Sequence, residues 1–270
     1  IFGERHPEEI PLCVRRNLSF FVNDADTLAE VERWAAKLGV RATVHVEVDT
    51  GLSRHGVRWT RAAGVIRQVA QSRAVMLEGV MSHFAQSDEL DKAFALEQLR
   101  RFRTVLAEMD RLGIRVRFRH MCNSGGFLDL PQAHFDLVRL GILPLGVYPS
   151  QVCRRIPGLR PVMSVKTRVV LLRDLEPGDF VGYGMHYRAE EPRRIAVFSL
   201  GYADGFPRLR NRGCVLIRGR RAPIVGGNAM DATMVDVTEI PGVERWDVAT
   251  VLGRDGDEEI SAHEIAQWKG

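Results

Sequence analysis

Apolar and polar positions along the chain follow two different rhythms, and the change between them divides it. In the first half, short apolar runs alternate with longer stretches whose apolar residues recur every three or four positions. LSFFV (18–22) predicts a strand. Asp24 or Asp26 is placed to cap a helix through LAEVERWAAKL, which stops at Gly39. ATVHVEV (42–48) predicts a second strand, followed by the loop DTGLSRHG and a helix near 60–71. VMLEGVMS (75–82) predicts a third strand, and a long helix over about 88–112 ends at Gly113. VRFRHM (116–121) predicts a fourth strand, and FDLVRLGI (135–142) contains a fifth. Strands alternating with helices imply parallel β/α units.

From about Pro161 the pattern changes to β-branched runs with almost no helical period: VMSVKTRVVLL, RRIAVFSL, CVLIRG, APIVG, ATMVDVT and DVATVLG. Turn signals such as EPGD, RGR and EIPG separate them, which predicts a mostly antiparallel β-domain closed by a short helix, SAHEIAQW. The boundary falls in GVYPSQVCRRIPGLRP, giving expected domains 1–155 and 156–270. An ordinary (β/α)8 barrel takes ~250 residues and one β/α unit about 30, so a first half of about 150 residues holds roughly five of eight units. The expected class is therefore α/β plus all-β: a partial TIM-type barrel, then a β-domain. The opening IFG reads as the tail of a strand, so truncation at the N-terminus is expected.

Composition narrows the choice of partners. The 45% hydrophobic content suits a buried core, and no run of about 18 apolar residues predicts a membrane span. IFGERHPEEIP has neither the basic start nor the apolar centre of a signal peptide. The net charge of +4 is mild and the arginines are scattered, so no nucleic-acid partner is expected. Cys13, Cys122, Cys153 and Cys214 lack CxxC spacing and read as free thiols of a cytoplasmic protein.

Candidate chemistry gathers just after the predicted strands. Asp49, Thr50, Gly51 and Arg54 follow the second strand and His83 the third. Asn123 and Ser124 follow the fourth, with His120 inside it, and Gly141 follows the fifth, with Arg139 just before. In a parallel barrel these positions share the C-terminal face, where active sites sit. Ser124 and the backbone N–H groups at Gly141 and Ile142 suit a phosphate. Arg139 can donate to a ring nitrogen or a carboxylate, and Arg54 suits a carboxylate. A His/His/Asp metal set is the rival reading, without HxH or HExxH spacing to support it. In the second half Tyr183 lies in a Gly-Tyr-Gly turn, and Tyr202 opens GYADG after the strand IAVFSL. A phenol ordinarily titrates near ~10, so it carries protons only where its surroundings stabilise the phenolate. Otherwise the two tyrosines simply cap a β-domain.

VHVEVDTGLSRHGV, GVMSHFAQSDE, HMCNSGGFLD, FDLVRLGI, VGYGMHY, GYADGFPR and APIVGGNAMDATMVDV, in that order, resemble the alanine racemase family of fold-type III pyridoxal-phosphate (PLP) enzymes. The resemblance implies a PLP-binding (β/α)8 barrel, a following β-domain, a head-to-tail homodimer, and cytoplasmic D-alanine supply for peptidoglycan. It implies that Tyr183 takes the α-proton of L-alanine in the partner subunit's active site, with His120 and Arg139 behind it. Arg139 would also donate to the PLP pyridine nitrogen, where a Glu would instead suggest a decarboxylase. Asn123, Ser124, Gly141 and Ile142 match the phosphate site. Arg54 matches the residue that steadies the PLP phenolic oxygen and faces substrate. Met230, through its backbone N–H, would hold the substrate carboxylate. His83 matches an inner-site position and Tyr202 an entrance position, with Asp231 beside them.

Several positions depart from the family pattern. Its second base is a lysine that forms the Schiff base with PLP, and none of Lys37, Lys92, Lys166 or Lys269 lies in that motif. That lysine is expected outside this chain, as is a C-terminal phosphate-binding tyrosine. Glu47 stands where many members carry a lysine that becomes carbamylated; it supplies negative charge beside Arg54 or is an outward strand residue. Leu145 replaces a usual tyrosine, and Gly227-Asn228 a common Gly-Arg run. Two alternatives remain open from sequence: a racemase of another small amino acid such as serine, and a non-catalytic PLP-binding or dimerisation module.

Overall fold

Alternation along the strand α-carbons decides which side of the first sheet is core and which is site. The computed structural model describes residues 1–269 and divides into two units, Ile1–Leu159 and Arg160–Gly270. The first contains α1 (Ile10–Arg15), β1 (Phe20–Phe21), α2 (Ala25–Leu38), β2 (Ala42–Asp49), β3 (Val57–Arg58) and α3 (Trp59–Gln71). β4 (Val75–Met81), α4 (Ala93–Arg111), β5 (Phe118–His120) and α5 (Ser124–Asp129) follow. The sheet runs β1-β2-β4-β5, with β3 paired to β2, and all of its pairs are parallel. Val44, Val46 and Val48 of β2 and Val80 of β4 point to the helix side, into one core with Leu28, Val31, Ile66, Leu99 and Phe102. The opposite face carries His45, Glu47 and Gly79, with His120 beside Met81 in register.

One extra residue interrupts this alternation. Val44 pairs with Leu77 but His45 pairs with Gly79, so Glu78 is a β-bulge. Leu77 and Val80 both pack with the core, which leaves Glu78 and Gly79 together on the site face.

α2 forms as its end signals predict: the Asp24 carboxylate accepts from Thr27 N–H at 2.7 Å, and Gly39 closes it at φ 65°. Other expectations need correction. The fifth predicted strand does not form; Phe135 takes a left-handed φ of 48°, which breaks extension, and only Leu137 bridges His120. The fifth strand of the sheet is instead the short β3. Residues 1–3 form no strand, and Gly3 turns at φ 84°. α4 begins at Ala93, five residues later than expected, because the Asp91 carboxylate accepts from Ala93 N–H and Lys92 binds Asp129 at 2.8 Å. α1 was legible but unread: Ile10, Cys13 and Val14 have helical spacing, and a proline sits in the first turn.

The second unit is built from β6 (Val165–Leu175), β7 (Phe180–Val181), β8 (Tyr187–Arg188), β9 (Arg193–Phe198) and β10 (Cys214–Ile217). β11 (Arg220–Pro223), β12 (Thr233–Asp236), β13 (Val248–Asp255), β14 (Glu258–Ile260) and α6 (Ala262–Lys269) complete it. Its main sheet is antiparallel, in the order β11-β10-β13-β6-β9-β12 with β14 on β13. Val169, Ala196, Phe198, Val215, Ile217, Ala249 and Val251 form its core. β7 and β8 make a separate hairpin that sequence reading passed over. Tyr183 therefore sits at a hairpin tip, with β8 between it and β9. The expected class, parallel β/α followed by antiparallel β, is the one that forms. Among the described residues no helix is long and apolar enough to cross a membrane.

Candidate active site

In the first unit the site is organised by one guanidinium. Arg139 Nη1 lies 2.5 Å from His120 Nδ1. Nη2 donates to Ser82 O at 2.7 Å and Met121 O at 3.2 Å, and lies 3.1 Å from His83 Nδ1. The remaining donor, Nε, is buried and has no partner. Burial brings the Arg139 pKa down to about 10, with Glu47 and the Cys122 thiol opposing that shift and Arg54 adding to it. The group keeps its proton at neutral pH. Burial, with the Arg139 charge second, pushes His83 down to about 4 and His120 to about 2. Both imidazoles are neutral where the protein is folded.

The two histidines differ in what they have left to offer. His120 has both ring nitrogens engaged, Nδ1 with Arg139 and Nε2 with His45 Nδ1 at 3.0 Å. His83 is engaged only through Nδ1, and its Nε2 has no partner among the described residues. A guanidinium can only donate, so His83 Nδ1 must accept and its proton must sit on Nε2. Of the two rings, His83 is therefore the one with an N–H left to offer.

Gln98 and Ser82, which sequence reading missed, join Thr50 in holding this geometry. Gln98 donates to Thr50 Oγ1 at 3.2 Å and His83 O at 3.1 Å and accepts from Ala85 N–H at 2.9 Å. Thr50 in turn meets Ser82 Oγ at 2.7 Å. A glutamine on the buried stripe of α4 was the available signal. Glu47 is not an outward residue: it is 2% exposed, and its Oε2 has no partner. Burial raises its pKa, against the pull of His55, Arg54 and Arg139.

Ser124 Oγ accepts from Gly141 N–H at 3.2 Å and Leu143 N–H at 3.3 Å, while the Ile142 N–H has no partner among the described residues. A Cβ added at Gly141 would meet nothing within 4 Å, so this edge is open. Asn123 is the cap of α5; its carbonyl accepts from Gly126 N–H and Ser87 Oγ, which commits it to shaping the loop. Arg54 is exposed and stacks its guanidinium 5.2 Å from the Phe2 ring, which also lies 5.8 Å from that of Arg139. Beside these groups lies a cavity of about 250 Å³ lined by Phe2, Phe21, His45, His120 and Arg139. Among the described residues, no three His, Cys, Asp or Glu side chains converge as metal ligands.

In the second unit Tyr183 is 80% exposed, between Gly182 at φ 74° and Gly184 at φ 77°. Only glycine takes both turns freely, and the tip pushes the phenol outward. Tyr183 and Tyr202 line a cavity of about 330 Å³ with Arg208, Arg210, Gly227 and Asn228. Arg208 lies 5.4 Å from the Tyr202 ring, and the Asn228 amide bridges Leu209 N–H and Pro207 O, each at 2.9 Å. The Tyr202 turn is tied to the Met230 loop by Tyr202 N–H to Ala229 O (3.1 Å) and Ala203 N–H to Met230 O (2.9 Å). Met230 is exposed, as is Asp231. No lysine lines either cavity: Lys92 pairs with Asp129, Lys37 packs on Trp34, Lys166 binds Arg254 O, and Lys269 ends α6.

The sequence matches two domain families, the N-terminal domain of alanine racemase over residues 1–149 and its C-terminal domain over residues 162–270. An alanine racemase of Halothermothrix orenii is 40% identical over 268 residues, covering 99% of this chain and 71% of that protein. One of Syntrophobacter fumaroxidans is 41% identical over 265 residues, covering 98% and 70%. Among solved structures, alanine racemase from Streptomyces coelicolor matches at TM-score 0.90 and 35% identity, covering 97% of this chain and 70% of that one. The enzyme of Clostridium difficile 630 matches at TM-score 0.92 and 28% identity, covering 100% and 70%.

Proposed function

The chain belongs to the alanine racemase family, whose membership implies a PLP requirement, and from that premise we propose how its residues divide the work of interconverting L- and D-alanine. The observation that carries the proposal is the orphaned Arg139 Nε. A buried N–H without an acceptor is costly, about 1–3 kcal/mol, and the lone pair of a pyridine nitrogen would satisfy it. The open edge at Ser124, Gly141 and Ile142 offers a hydroxyl and backbone N–H groups to a phosphate. The residues therefore fit the cofactor. When bound, PLP withdraws electron density from the substrate carbon that loses its proton. Arg139, protonated at any working pH, keeps that ring nitrogen from taking a full proton.

Tyr183 is the group that accepts the α-proton of L-alanine, and its exposure supports presentation to the active site of a second subunit in a head-to-tail dimer. His83 donates its Nε2–H to the phenolate oxygen, because Arg139 fixes the other nitrogen as acceptor. His120 acts through Arg139 and does not touch the phenol. Met230 and Asp231 edge the substrate carboxylate, Tyr202 narrows the entrance, and Arg54 faces the cofactor's phenolic oxygen. No lysine of this chain is assigned as the opposing base. Racemisation measured in both directions, in a protein that also supplies the opposing lysine, tests the reading. Tyr183→Phe is expected to depress proton removal from L-alanine far more than from D-alanine; equal loss in both directions would remove Tyr183 from the base role.

A further inference from the structure

We propose that His45 and Glu78 are positioning residues: they lock His120 as the imidazole that accepts from Arg139 and so aim the guanidinium. The functional part rests on the reading that Arg139 Nε meets the cofactor ring. The geometry stands without it.

Arginine donates and never accepts. His120 Nδ1, 2.5 Å from Nη1, must therefore present a lone pair, which puts the His120 proton on Nε2. That proton points at His45 Nδ1, 3.0 Å away, so His45 Nδ1 must also be an acceptor. The proton of His45 then sits on Nε2, 3.1 Å from Glu78 Oε2. Three hydrogen bonds run in one direction, from a permanent cation through two neutral rings to a carboxylate. Reversing any one of them would set two N–H groups or two lone pairs against each other. A second proton on His45 would do the same.

The parts of this relay are built to stay where they are. His45 is stacked on Phe118, with centroids 6.4 Å apart and planes at 18°, and Phe21 meets its edge at 6.1 Å. Gly79 makes room for it: a Cβ there would come within 2.4 Å of both Cε1 and Nδ1 of the ring. The bulge turns Glu78 onto the same face. Ser19 Oγ donates to Glu78 Oε2 at 2.8 Å, and Arg117 approaches Oε1 at 3.8 Å. Burial works to raise the Glu78 pKa, yet the bonds from Ser19 and His45 hold it below the usual carboxylate range. Among the described residues, Nη1 of Arg139 has His120 as its one partner, whereas Nη2 has three. The orientation of the fork on the Nη1 side thus depends on the relay.

The test needs no cofactor. In the chain labelled with 15N in histidine and arginine, long-range proton–nitrogen correlations at neutral pH report which nitrogen of each ring is protonated, with His45→Asn and His120→Asn assigning the signals. Both rings are expected as the Nε2–H form, and the Arg139 Nε–H is expected to exchange slowly. Glu78→Gln introduces an amide that can donate as well as accept, so His45 is expected to become a mixture of tautomers. Arg139 Nε–H exchange should then quicken about fivefold, the loss of roughly one net hydrogen bond. Gly79→Ala, which alters no titratable group, is expected to do the same by displacing the ring. An Nδ1–H form in either ring of the unaltered chain overturns the proposal. So does a Glu78→Gln chain of unchanged circular dichroism whose tautomers and Arg139 exchange match the parent. Failure of the cofactor reading would show separately, as PLP leaving the Arg139 Nε–H signal unmoved in a chain whose tautomers are as expected.

Discussion

The two units present their chemistry in opposite ways. In the first, buried polar groups gather on one face of the parallel sheet and on α4, and most of their donors and acceptors are engaged: Arg139 with four partners, His120 with two, Gln98 with three. In the second, Tyr183 stands out on a hairpin tip above a cavity flanked by Arg208 and Arg210. Groups of the first kind have their protonation fixed by burial and by one another. Groups of the second kind are set by whatever approaches them. Substitution should therefore cost stability among the buried groups of the first unit and activity alone at the hairpin tip of the second.

The largest expected effect is on the second side of that contrast. Where the opposing lysine is supplied, Tyr183→Phe should lower racemisation from L-alanine by about 10²–10⁴-fold, the usual worth of a proton-transfer group. Its unfolding free energy should stay within about 0.5 kcal/mol of the parent, as for other exposed sites. A matching loss of stability in a urea titration would mean that the tip is structural and would erase the contrast. Arg139→Ala should remove about 3 kcal/mol from the first unit, since several buried acceptors lose a charged donor together. The second unit's unfolding transition should be unmoved.

Acid sharpens the contrast further. His83 and His120 titrate lower folded than unfolded, at about 4 and about 2 against an unfolded value near ~6.5. The unfolded chain then binds more protons over that window. Their contribution is complete above about pH 6.5 and is lost as pH falls toward about 4, then further toward about 2. Glu47 runs the other way, because its raised pKa costs stability as pH climbs past the ordinary carboxylate range. Thermal melts should show the acid-side loss reduced in His83→Asn. The smallest effect is expected at Asn228→Ala, about 1–2 kcal/mol, from leaving Leu209 N–H and Pro207 O unpaired under the second cavity.

Local chemistry explains what the sequence made legible. α2 could be bounded because Asp24 and Gly39 act on their own neighbours, and β2 because its valines alternate. Arg139, Ser124 and His83 were singled out because residues that follow parallel strands share one end of a sheet. What stayed hidden depends on distant groups or on a single dihedral. A left-handed Phe135 cancelled a strand that its composition favoured. The bonding of His83 and His120 separates only when both rings are seen against one guanidinium, since spacing cannot show which nitrogen is already taken. His45 read as one more position in a valine-rich run, and Glu78 as a polar interruption. Each gains meaning from the other across two strands.

The doubled position in β4 has a consequence for how chains of this kind can differ in length. Leu77 and Val80 would still face the core if Glu78 were deleted, and Gly79 would remain opposite His45. Such a deletion would tidy the strand and spare its flanking pairs while removing the anion. A related chain one residue shorter here would keep its architecture and lose the terminus of the proton-ordered chain, so gaps in this strand deserve the reading normally given to replaced side chains.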